Sequence, residues 1–303
     1  MDERRGRRRG RRRFLLGLGA AALVKPAQAE ARHTRAIPSS GERLPVIGLG
    51  TWQTFDVGGD AAARAQLAQV LQQLDGNVVD SSPMYGTSES VAGDLVAALG
   101  LRPKLFIATK VWTRGEAEGI RQMETSFRRL RVERMDLMQV HNLLDVATHT
   151  RTLKDWKAAG RVRYIGITHY TTSAFGEVAR WLSRGDYDFV QINYSLDEPQ
   201  ADDRLLGIAQ DRGVAVIVNR PFGQGSLFRR VRGKRVPDWA KAELGVESWA
   251  QFFLKWIVAH PAVTCAIPGT SKPEHMRDNL AAGRGPLPDA AQRARMAETL
   301  EKL

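Results

Sequence analysis

The chain has 303 residues, is 43% hydrophobic and 26% charged, and carries one cysteine and a net charge of +12. A core of ordinary globular size is therefore available, while a single cysteine excludes an internal disulfide or a cysteine zinc site. Nine basic residues against Asp2 and Glu3 in residues 1–29 hold seven of the twelve net charges, so the body is only mildly basic and no nucleic-acid partner is expected.

Those first residues have three parts: an arginine block, the apolar run Phe14–Val24, and Ala27-Gln28-Ala29. This is the layout of a cleavable export signal with a small-x-small site after Ala29. The apolar run is too short to span a bilayer, so no stable membrane insertion is expected. Arg11-Arg12-Arg13-Phe14-Leu15, with Lys25 just beyond the run, resembles the twin-arginine consensus of the route that carries folded cargo. The expectation is a signal over residues 1–29 and a mature single domain over residues 30–303 that folds, meets the twin-arginine machinery and works in the periplasm. A chain whose leader is not used would stay in the cytoplasm. Gly17-Leu18-Gly19-Ala20-Ala21-Ala22 matches a dinucleotide pattern but neither ends a strand nor opens a βαβ unit, and is rejected.

Beyond the leader, two short apolar runs flank Ser39-Ser40-Gly41-Glu42 and predict a β-hairpin. Eight β-type runs follow: residues 46–50, 77–81, 105–110, 135–141, 162–168, 189–194, 214–219 and 263–268. None alternates cleanly between apolar and polar, as expected for strands covered on their outer face. Between them lie helical stripes such as Leu67, Val70, Leu71 and Leu74, then Ile120, Met123, Phe127 and Leu130, then Trp249, Phe252, Phe253, Trp256 and Ile257. Units recurring every roughly 25 to 40 residues predict an α/β fold, a (β/α)8 TIM barrel with an N-terminal β-hairpin. An open doubly wound sheet would need a glycine-rich turn after its first strand, where this chain has Thr51-Trp52-Gln53. Residues 223–246 read as a loop that no pattern constrains.

In such a barrel, chemistry gathers at the C-terminal ends of strands. Those ends supply Asp80 and nearby Tyr85 in VVDSSPMYG, Lys110 in ATKVW, and His141 in MQVHN. Each alone has a bland reading: turn acid, surface ring, solvated amine, core histidine. Together on one barrel end they suit proton transfer coupled to hydride transfer. A phenol with a reference pKa of about 10 is a poor acid–base at neutral pH, and an adjacent lysine is expected to lower it. Asp80 would hold Lys110, and His141 would donate to a substrate oxygen where charge develops. Cys265, in an apolar run, reads as a buried structural thiol, and the histidines show no ligand spacing, so no metal is expected.

The stretches LPVIGLGTW, VVDSSPMYG, ATKVW, LMQVHN and AIPGTSKPEHMRDN closely resemble the aldo/keto reductase superfamily, from about Arg35 to Asn279. The resemblance implies a barrel that binds NADPH in extended form and uses Asp80, Tyr85, Lys110 and His141 as a catalytic tetrad. It places Trp52 and Trp112 in the substrate pocket, and Thr168, His169 and Gln191 on the nicotinamide carboxamide. The adenosine end falls on Gly269, Thr270, Ser271, Lys272, Arg277 and Asn279, where donors at a helix start and basic side chains suit a phosphate. Two positions depart from the family pattern. Asn219-Arg220-Pro221-Phe222-Gly223 lacks the tyrosine that stacks on nicotinamide, leaving Phe222 to substitute or Arg220 to meet the cofactor. His275 stands where an arginine often contacts the 2′-phosphate, with Lys272 or Arg277 to compensate; NADPH is expected, and NADH stays open. The chain is expected to be a monomer, and the resemblance implies a reductase of an aldehyde or ketone. Its alternative is a cofactor-loaded sensor with little turnover, similar to the channel β-subunits of this superfamily.

Overall fold

The computed structural model describes Asp2 and residues 31–303; the export signal expected over residues 1–29 otherwise lies outside the described residues. Strands β1 (Thr34–Ala36) and β2 (Arg43–Pro45) form the antiparallel hairpin, paired Arg35 to Leu44. Its turn needs a left-handed residue, which Gly41 supplies at φ 77°.

The next eight strands are all parallel and lie side by side in chain order. They are β3 (Leu49–Gly50), β4 (Val78–Asp80), β5 (Phe106–Val111), β6 (Met135–His141), β7 (Val162–Thr168), β8 (Phe189–Asn193), β9 (Ala215–Asn219) and β10 (Val263–Ala266). Bridges from Ile47 to Ala266 and from Gly50 to Gly269 join the last strand to the first. A Cβ on Gly50 would sit 2.9 Å from the carbonyl oxygen of Ile267, so this seam closes only around a residue with no side chain. The same seam explains why the run at 46–50 shortens to two strand residues: Gly48 N donates to Ala266 O (2.8 Å) and Ala266 N to Val46 O (2.9 Å) as bridges, not as ladder.

Helices alternate with the strands: α1 (Ala61–Leu71), α2 (Ser88–Ala98), α3 (Glu116–Leu130), α4 (Val146–Ala158), α5 (Phe175–Leu182) and α6 (Leu205–Asp211). After β9 come α7 (Ser226–Arg230), α8 (Asp238–Leu244) and α9 (Trp249–Val258), and after β10 come α10 (Pro273–Ala281) and α11 (Ala290–Glu301). The stretch 223–246, featureless in sequence, therefore holds two short helices, one of them docked by Trp239 against Phe252 at 6.3 Å. The expected stripes face inward: Leu67, Val70 and Leu71 of α1, Met123, Phe127 and Leu130 of α3, and the aromatic residues of α9 on the sheet.

Two apolar shells result. The outer one lies between helices and strands. The inner one fills the barrel with Val78, Phe106, Leu137, Tyr164, Phe189, Ile217 and Cys265, floored by Ile37 and Leu44 of the hairpin. Strand residues facing either way are buried, which accounts for the missing alternation. The hairpin is tied to the barrel floor where Tyr164 Oη donates to Glu42 Oε2 at 2.6 Å. Cys265 is fully buried and its thiol is pushed up in pKa by that burial, an inert packing residue. With one end floored, the other end, at the strand C-termini, is the open one.

Candidate active site

Asp80 ends β4, Lys110 lies near the end of β5 and His141 ends β6, so three adjacent strands deliver three of the four expected groups. The fourth, Tyr85, comes from the turn after β4, where Tyr85 N donates to Ser82 O at 3.0 Å. Lys110 is fully buried and donates to Asp80 Oδ2 at 2.5 Å and to Ser81 O at 2.7 Å. Its Nζ lies 5.1 Å from the centre of the Tyr85 ring. The rings of Tyr85 and His141 meet edge to face at 5.8 Å.

Gln139 and Ser82, which pattern reading did not single out, complete this cluster together with Gln191. Gln139, fully buried on β6, donates to Asp80 Oδ1 at 3.1 Å, and Gln191 from β8 donates to the same oxygen at 2.9 Å. Ser82 Oγ lies 2.9 Å from His141 Nδ1. Gln139 was findable: it stands two residues before His141 in an apolar strand, so both side chains face the barrel interior. Ser82 sits in a turn, where no periodicity marks it.

Electrostatics follow from this packing. Burial pulls the Lys110 ammonium down, but Asp80 and Tyr85 more than offset it, so its pKa is raised and it stays a cation. For Tyr85 the structure differs from the sequence expectation. Lys110 does pull the phenol down, but burial pushes it up by more, so its pKa lies above the ordinary value. Tyr85 lines the cavity, and with its pKa raised it is a neutral acid at pH 7. His141 is pushed down to about 2, first by burial, then by the charges of Lys110 and His169; it is a neutral imidazole throughout the physiological range.

These groups open into a cavity of about 860 Å³ lined by Trp52, Asp80, Tyr85, Trp112, His141, Thr168, Gln191, Arg220 and Gly269, among others. Large exposed apolar side chains cluster at its rim: Trp52, Met84, Trp112, Tyr170 and Phe228. Trp112 is fixed by Gln122 of α3, whose amide accepts from Trp112 N at 2.5 Å and donates to Trp112 O at 3.1 Å. Four lining residues other than glycine, Gln53, Asn142, Arg220 and Gln224, have left-handed backbone at φ 50° to 60°, strain that concentrates on this mouth.

The donor set at the ends of β7 and β8 fits a nicotinamide cofactor. Gln191 commits its amide nitrogen to Asp80, which leaves its oxygen as an acceptor. His169 Nδ1 accepts from the backbone N–H of Tyr170 (3.0 Å) and Thr171 (3.2 Å), which leaves Nε2 as a donor. One acceptor and one donor beside Thr168 are the complement of a primary amide. Asn219 Oδ1 and Arg220 Nε are buried with no hydrogen-bond partner, a further sign of a polar ligand here. Arg220 Nη1 donates to Tyr170 O at 2.7 Å, while Phe222 packs on Phe228 at 4.8 Å, so both residues offered in place of the missing tyrosine stand on the cavity wall. Of the residues assigned to the adenosine end, Gly269 lines the cavity, Thr270 and Asn279 are buried, and Lys272 and Arg277 are exposed at either end of the first turns of α10. His169, Ser271 and these α10 residues lie outside the cavity wall proper.

Known proteins share this architecture. Methylglyoxal reductase YeaE of Escherichia coli is 28% identical over 257 residues, covering 82% of this chain and 88% of that protein. The NADH-specific methylglyoxal reductase of the same organism is 25% identical over 321 residues, covering 86% and 96%. The crystal structure of an aldo/keto reductase from Klebsiella pneumoniae in complex with NADP and acetate is 26% identical and superposes with a TM-score of 0.72 over 86% of this chain and 93% of that one. A model of the Aldo/keto reductase family matches residues 46–299, the whole barrel from the first strand to the last helix, and the chain belongs to that family.

Proposed function

We propose that this aldo/keto reductase reduces an aldehyde or ketone to an alcohol with NADPH, Tyr85 giving the proton. The observation that carries this reading is a neutral phenol set against the buried Lys110–Asp80 pair at the wall of the cavity. Thr168, His169, Gln191, Asn219 and Arg220 would hold the nicotinamide end, and Lys272 and Arg277 the phosphate end. The bound nicotinamide supplies the hydride.

The chain's own residues handle the oxygen and the proton. His141, neutral and facing the cavity, offers a hydrogen bond to the carbonyl oxygen. Tyr85 protonates that oxygen as charge develops on it, and Lys110 stabilises the phenolate left behind. Asp80 keeps Lys110 charged and in place. The names of the two Escherichia coli relatives make methylglyoxal the first carbonyl to try, and the NADH-specific one is the reason to assay both nucleotides.

Single-turnover oxidation of pre-bound NADPH by methylglyoxal and larger aldehydes tests the reading. Fast oxidation is expected, with Tyr85→Phe at least about 10²-fold slower and nucleotide binding unchanged. A nucleotide pool inert to every carbonyl would reject the enzyme in favour of a cofactor-loaded sensor. The leader supports export after folding, with cofactor acquired in the cytoplasm. Replacing Arg11, Arg12 and Arg13 with lysine should leave uncleaved protein in the cytoplasm, and undiminished export would reject that route.

A further inference from the structure

We propose that Ser82 is a positioning residue: its hydroxyl donates to Nδ1 of His141 and so fixes the ring in the tautomer that carries its proton on Nε2, the nitrogen left for the cavity. The reasoning is a count of protons. A neutral imidazole has one donor and one acceptor nitrogen, and the hydrogen bond made by one nitrogen decides the other. Ser82 is fully buried, and its Oγ lies 2.9 Å from His141 Nδ1. The Ser82 oxygen already receives a long contact, 3.4 Å, from the backbone N–H of Met84. Among the described residues the hydroxyl hydrogen then has one acceptor within reach, His141 Nδ1. With the proton on Nδ1 instead, the Ser82 hydrogen would be buried without an acceptor and the cavity-facing nitrogen would repel a carbonyl oxygen.

The alternative of a charged ring, with donors at both nitrogens, is opposed by burial and by the Lys110 ammonium behind it. The groups acting on the ring are Tyr85, Trp112, Ser82, Lys110 and His169, and none is an anion that would favour the imidazolium. One short turn thus does two things. Residues 82–85 bring the proton donor Tyr85 to the cavity and place Ser82 against the histidine that aligns the same oxygen.

The test reads the tautomer directly. Nitrogen-15 spectra of the full chain labelled at histidine, with His141 assigned by its loss in His141→Gln, should show Nε2–H in the wild type. Ser82→Ala should move the ring to Nδ1–H or a mixture, and Ser82→Thr, which restores a hydroxyl, should return it. Turnover of a small aldehyde should fall roughly 10-fold in Ser82→Ala, less than the roughly 10²–10³-fold lost when such a donor is removed outright. KM for NADPH should not move. Only this kinetic arm rests on the reductase reading. Nδ1–H in the wild type, or an unchanged ring in Ser82→Ala, would overturn the proposal. A ring that switches in a chain that reduces nothing would uphold Ser82 and overturn the reductase.

Discussion

Acid should destabilise this protein through His141 in particular. In the folded chain burial and Lys110 hold the imidazole neutral down to a pKa of about 2, against 6.5 for the unperturbed group. Between these values the unfolded chain binds a proton that the native chain does not, so stability rises with pH across this window and is lost as pH falls through 6.5. From pH 7.5 to pH 5 the unfolded histidine goes from about 10% to nearly full protonation. At 1.36 kcal/mol per pH unit that is a loss of about 2 kcal/mol, and any folded value well below 5 gives the same figure. The perturbation is His141→Gln, which removes the titration and keeps a polar side chain of similar reach. Urea unfolding of both proteins at pH 7.5 and pH 5 isolates the term, because His169 and His260, also lowered, are common to both. The wild type should lose about 2 kcal/mol more than the variant on acidification. Equal losses would mean that His141 takes up a proton in the folded protein, and the neutral-donor role would fall with it.

Lys110→Met removes the cation that counters burial at Tyr85, so the phenol pKa should rise further and the alkaline limb of the pH–rate profile for reduction should move to higher pH. The same variant leaves Asp80 buried with only its two glutamine donors, a loss of about 3–5 kcal/mol measurable by urea unfolding. An unmoved profile would break the proposed Tyr85–Lys110 coupling. Lys272→Ala should weaken NADPH by about 10-fold, the scale of one charged hydrogen bond, and leave NADH nearly unchanged by fluorescence titration. Equal weakening would assign Lys272 to another part of the nucleotide.

The barrel was legible because each of its strands is a run of β-formers set between helical stripes, and the catalytic ends were legible because the fold dictates where they point. The first strand was legible in place but not in extent, since seam bridges rather than ladder hold residues 46–48. Within the site, legibility followed chemistry of residue type. Asp80, Lys110 and His141 stand out as polar residues closing apolar runs, while Gln139 hides inside one and shows itself only by strand parity with His141. Ser82 and the left-handed residues Gln53, Asn142 and Arg220 depend on turn geometry, which carries no period. The sign of the Tyr85 shift was beyond the sequence for another reason: it is a contest between burial and one cation, and the depth of the hydroxyl decides it.

Asp80 is the hub of this chemistry, and its position separates catalysis from stability. One carboxylate from β4 receives Lys110 from β5, Gln139 from β6 and Gln191 from β8. Burying a charge pair costs as much desolvation as its attraction returns, so this cluster adds little to the folding free energy. What it contributes is orientation: each donor spent on Asp80 fixes the side chain that carries it. Lys110 is thereby held against Tyr85, and the Gln191 amide is turned so that its oxygen stays available to the cavity. The Tyr85 side and the Gln191 side of the site are thus set by the same two oxygens. Folding is left to the two apolar shells on either side of the strands, which have no part in the chemistry. Substitutions within those shells therefore act on the amount of folded protein, and substitutions at Asp80 act on both ends of the site together.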